Sequence, residues 1–60
     1  MMIGDIVKLK KNPKIVGVIR SYISENGYLK AIVRIPIKDD ERGYYEIKVY
    51  ENALEKVEKK

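Results

Sequence analysis

The dipeptide Asn26-Gly27 lies between two runs rich in isoleucine, valine and tyrosine. Asparagine and glycine reach positive φ at least cost, and in succession they favour the tight turn that joins antiparallel strands. A β-branched run on each side of such a turn commits the middle of the chain to a hairpin. Within residues 28–38, Leu29, Ala31, Val33, Ile35 and Ile37 alternate with Lys30, Arg34 and Lys38, and Ile32 is the exception. That period of two belongs to a strand with one buried face, the three cations forming an outward row. Pro36 has no N–H for a ladder, so this end of the strand is expected at an edge or bulge. Residues 14–24 are apolar at both parities (Ile15, Val16, Val18, Ile19, Tyr22 and Ile23) around Gly17. Such a run suits a long, bent central strand covered on both sides, with the glycine as its kink.

The flanking segments read the same way. In residues 5–11, Val7 and Leu9 alternate with Lys8 and Lys10 until Asn12-Pro13 breaks the pattern. Residues 39–43 are a polar connection closed by Gly43. Residues 44–50 form a fourth strand, with Tyr45, Ile47 and Val49 on one side, Tyr45 reading as core, and Tyr44, Glu46, Lys48 and Tyr50 on the other. In the tail, Leu54 and Val57 suit one helical turn, or a turn at residues 51–53 followed by a strand over 54–58. The second is the expectation, because a fifth strand covers an open edge. The fold class is therefore all-β, a small antiparallel, strongly bent barrel of four or five strands.

Sixty residues make a single domain, 1–60, without cysteine or histidine to staple it. Stability must come from aliphatic packing and backbone hydrogen bonds. No apolar run approaches the ~20 residues that span a bilayer. The first residues, Met1-Met2-Ile3-Gly4-Asp5, do not read as a signal peptide. The expected location is cytoplasmic. The absence of glutamine and cysteine beside abundant lysine, glutamate and isoleucine points to a prokaryotic source. The charged end, Glu58-Lys59-Lys60, suits a lead into a longer parent chain.

Gly4-Asp5-Ile6-Val7-Lys8-Leu9, then Gly17-Val18-Ile19, then Asn52-Ala53-Leu54-Glu55-Lys56-Val57 resembles the small Src-homology-type barrels of the KOW and Tudor-like kind. Those have a Gly-Asp-x-Val opening strand, a Gly-x-hydrophobic second strand and a late turn ending in Leu-x-x-Val. The resemblance implies a binding module of the sort found in front of Swi/Snf-type helicases and in nucleic-acid-associated proteins. It does not carry over a methyl-lysine cage, since residues 11–14 supply no aromatic ring.

Catalysis has little to work with: histidine and cysteine are absent, and Ser21 and Ser24 flank the hairpin as turn formers do. Asp39-Asp40-Glu41 reads as a solvated loop rather than a cation cage. Gly4, Gly17, Gly27 and Gly43 form no phosphate loop. The expectation is a protein that is not an enzyme and has no cofactor or metal. Charge is more informative. Residues 1–38 hold eight Lys/Arg against Asp5 and Glu25, net +6, and residues 39–60 hold five against seven acids, net −2. A basic first half is the footprint of an anionic partner. The expected partner is DNA or RNA, gripped through phosphate by Lys8, Lys10, Lys14, Arg20, Lys30 and Arg34. Arg20 and Tyr22 share a parity, and Tyr22 or Tyr28 would offer a stacking surface. The alternative is a protein-contact or self-associating module using Tyr44, Tyr50 and the edge near Pro36.

Overall fold

A computed structural model describes residues 1–57. The chain is all-β, with strands β1 (Ile6–Leu9), β2 (Val16–Glu25), β3 (Tyr28–Pro36), β4 (Tyr44–Tyr50) and β5 (Leu54–Lys56), and one turn of 3₁₀ helix, Glu51–Ala53, before β5. The strands form one sheet in the order β4-β3-β2-β1-β5, every neighbouring pair antiparallel. The sheet is open, not closed into a barrel: β4 and β5 are its two edges. Among the described residues no helix is long and apolar enough to cross a membrane.

The hairpin forms where the turn chemistry put it. Asn26 has φ 52° and Gly27 φ 81°, and Glu25 faces Tyr28 across the turn. The tail takes the turn-and-strand form. Leu54 N–H donates to the Glu51 carbonyl, and Leu9 and Val7 of β1 face Leu54 and Lys56 of β5. The Val57 N–H continues this ladder to the Ile6 carbonyl at 2.8 Å. The expected end of this strand at Glu58 lies outside the described residues.

Cross-strand partners share a face, so the register assigns every side chain. Val7, Ile19, Ala31, Val33, Ile35 and Leu54 make the buried core, with Leu9, Ile15, Tyr22, Ile47 and Val49 packed against it. The large, fully buried members, Ile19, Leu54, Val7 and Val33, come from four regions of the sequence. Each contributes about 1.5–3 kcal/mol by leaving water. Leu54 on the edge strand reaches this cluster because the sheet curls, which also brings the 3₁₀ turn against β3. Tyr45 does not join the core. It faces the core side opposite Ile35, but at the end of an edge strand it stays 44% exposed.

β2 carries apolar residues on both faces, with Val18 and Ile23 half-buried on the outer side, but its irregularity does not lie at Gly17. The register shifts between Ile19 and Ser21, so Arg20 is an extra residue, a β-bulge. Before it the odd positions face the core, and after it the even ones do. Ile19 and Tyr22 thus both point inward, opposite Val33 and Ala31. Gly17 is not the kink. It is buried against β3, where a Cβ would lie 2.5 Å from the Arg34 carbonyl oxygen and 2.8 and 2.9 Å from side-chain carbons of Val33 and Ile35. Gly17→Ala is expected to cost about 1–3 kcal/mol by overpacking. A lowered urea midpoint at unchanged slope is the readout, and an unchanged midpoint would contradict this packing.

Candidate nucleic-acid interface

The face of the sheet turned away from the core carries most of the candidate residues. Ile6, Val18, Arg34 and Glu46 stand in one row across β1 to β4, Lys8 and Val16 are opposite one another, and Pro36 faces Tyr44. Beyond the bulge, Ser21, Ile32 and Lys48 form a row, then Ile23, Lys30 and Tyr50. Half-buried aliphatics form the middle of this face, and charged and aromatic groups lie at its two ends.

At one end the β2 bulge, the end of β3 and residues 41–44 enclose a shallow hollow of about 350 Å³ lined by Arg20, Arg34, Arg42, Pro36 and Tyr44, with Val18, Glu41 and Gly43. The Arg34 guanidinium carbon lies 3.9 Å from the Tyr44 ring centroid, a cation–π stack. Its Nε and Nη2 both reach Glu46 Oε2 at 3.2 Å. Arg34 is therefore both neutralised and fixed. Arg20 and Arg42 have no carboxylate within 4.0 Å among the described residues. The loop that carries Arg42 is ordered by Asp40, whose Oδ1 accepts the Arg42 backbone N–H at 3.0 Å. Three arginines against Glu41 and Glu46 leave the hollow one positive charge in excess.

At the hairpin end one carboxylate serves two lysines. Glu25 binds Lys48 at 2.7 Å and Lys30 at 3.6 Å. The hydrogen bond from Lys48, aided by the charges of both lysines, holds its carboxyl below the usual range. Lys30 Nζ also lies 5.0 Å from the centroid of Tyr50, whose ring meets Tyr28 edge-to-face at 6.1 Å.

The expected phosphate-binding set is thus divided. Lys30 and Arg34 share the outer face with Lys8, as their alternation implied, yet each of the first two is already paired with an acid. Lys10 lies past the end of β1, its backbone N–H donating to the Ala53 carbonyl. Lys14 and Lys38, the latter beyond the end of β3, border a second hollow of about 510 Å³ with Ile37 and Tyr45, meeting the first at Pro36. The protein-contact candidates interleave with the basic ones, since Tyr44 stacks on Arg34 and Tyr50 lies under Lys30.

Tyr22 is the clear correction. The bulge puts it on the core face, away from Arg20, where it is half-buried and its hydroxyl donates to Glu51 Oε2 at 2.9 Å. Sequence reasoning also missed Arg42, which it treated as part of a polar connection. The only available signal was the Asp40-x-Arg42 spacing of a side-chain-capped turn. Among the described residues no three acidic side chains gather closely enough to hold a metal ion. Comparison with models of known families, with characterised proteins and with solved structures finds no match to this chain.

Burial, then the hydrogen bond to Glu51 and the charges of Glu51 and Asp5, push the Tyr22 phenol up from 10.0 to about 12. The folded state thus keeps a proton that the unfolded chain releases near pH 10. The stability linked to this group is complete below pH 10 and is lost as pH rises through about 12. Urea melts across this window should show falling stability in the wild type. Tyr22→Phe should flatten that decline, and a decline of the same steepness in the variant would refute the assignment.

Proposed function

We propose that this chain is a non-catalytic module that binds nucleic acid through backbone phosphate, using the outer face of the sheet around the Arg20–Arg42 hollow. The observation that carries the reading is the pairing pattern. Lys30, Lys48 and Arg34 each lie within 4.0 Å of Glu25 or Glu46, while Arg20 and Arg42, which line the hollow with the Arg34–Tyr44 stack, stand unpaired among the described residues. Unpaired cations release counterions when they meet phosphate, whereas a cation already held by a carboxylate gains less. Lys8 on the same face and Lys14 across Pro36 extend the contact surface. Tyr44, with Tyr28 and Tyr50 at the other end, offers exposed rings on which unpaired bases stack.

We also take the module to be related to the Src-homology-type folds of the KOW or Tudor-like kind, with its sheet left open rather than closed into a barrel. The late 3₁₀ turn leading into Leu54, the pairing of the last strand with the first, and the curl that gathers all five strands around one core support that assignment. Arginine, lysine and tyrosine spread over a sheet face suit binding that follows charge rather than sequence.

Fluorescence anisotropy with a labelled short duplex and a labelled single strand, repeated over a range of salt, tests the proposal. Affinity should fall steeply with salt for both ligands. Arg20→Ala and Arg42→Ala should each weaken duplex binding and reduce the log–log salt slope by about 0.9. Lys30→Ala should change both less, because Glu25 already holds that charge. No binding at low salt, or binding indifferent to salt, would overturn the reading.

A further inference from the structure

Among the described residues β4 pairs only with β3, so its outer edge presents backbone donors and acceptors with no partner in the sheet. The other edge strand, β5, is three residues long; β4 has seven and contains no proline. Proteins commonly blunt long edges with proline, bulges or unmatched charge. β4 is instead aromatic and open, with Tyr44, Tyr45 and Tyr50 50%, 44% and 46% exposed.

The order of its residues supplies the occupant. Tyr44-Tyr45-Glu46-Ile47-Lys48-Val49-Tyr50 is complementary to its own reverse about Ile47. A second copy running antiparallel along this edge, with the two Ile47 residues opposite, sets Glu46 of each copy against Lys48 of the other. It also sets Tyr44 against Tyr50 and Tyr45 against Val49. Opposite charges and aromatic or aromatic–β-branched pairs are the favourable cross-strand combinations. Faces match as well, since Tyr45, Ile47 and Val49 lie on the core side and the even-numbered residues on the outer side. Moving the centre to Glu46 or to Lys48 places like charges opposite each other, so one register is selected.

We propose that the chain forms a two-fold symmetric dimer by pairing β4 with β4 of a second copy, centred on Ile47. The inference is independent of nucleic-acid binding. It would extend the Arg34–Glu46 and Glu25–Lys48 pairs into a row of alternating sign across the junction and place two Arg20–Arg42 hollows on one continuous face.

Sedimentation velocity over a dilution series tests it, with far-ultraviolet circular dichroism to confirm that each variant is folded. The wild type should dimerise reversibly. E46K puts lysine against lysine, and K48E glutamate against glutamate, at the positions that face each other, so each variant alone should dimerise roughly tenfold or more weakly. Mixed in equal amounts, the two should associate again, because one chain then offers only lysine, and the other only glutamate, at positions 46 and 48. A wild type that stays monomeric, a dimer that both variants leave intact, or folded variants that ignore one another would each overturn the proposal.

Discussion

β3 lies so close to β2 that a side chain at residue 17 would crowd it, and three residues further on β2 takes in an extra residue, Arg20. The close approach locks the two strands together at the centre of the sheet, where Ile19 is fully buried opposite Val33. The bulge then changes which parity faces inward, so that one strand feeds Ile19 and Tyr22 to the core and still presents Arg20 among the residues of the outer hollow. A bulge bends and twists the strand that holds it. The curl that brings the 3₁₀ turn to β3, and Leu54 to the common core, is consistent with that bend. Core, curvature and candidate site share this one stretch of backbone.

The electrostatic character of the outer face follows from which cations find acids. A surface ion pair adds little stability, typically below about 1 kcal/mol, because water screens it. Its larger effect here is on availability. Glu46 and Tyr44 clamp Arg34 from two sides, and Glu25 draws in Lys30 and Lys48 together. The two arginines without a carboxylate partner among the described residues lie not in the regular rows of β3 but at the bulge of β2 and in the connection before β4. Irregular backbone is where a side chain can be aimed independently of the pleat, so this placement has a structural reason.

The chain's first and last strands are stitched together at the opposite side of the sheet. β5 is too short to stand alone, and it is held by β1 through three facing pairs and by Leu54 in the core. Tyr22 adds a tie of another kind, spanning from the central strand to Glu51 in the turn just before β5. In a chain without cysteine, such long-range links are what keep the last strand in place.

Strand positions, the Asn26-Gly27 hairpin, the turn before β5 and the inward Ala31, Val33 and Ile35 were legible from the residues in order, because turn chemistry and period-two alternation are local properties, whereas Leu29 and Ile37 at the two ends of the same alternating run are exposed. The common face of Lys30 and Arg34 was legible for the same reason. The bulge at Arg20, the crowding at Gly17 and the exposure of Tyr45 were not. Each is set by what the neighbouring strand places opposite, or fails to place beyond an edge. Nor could alternation reveal that Glu25 and Glu46 would occupy Lys30 and Arg34, or that Arg42 would line the same hollow as Arg20. Charge is written in the sequence, but the distance between charges exists only once the sheet has chosen its register.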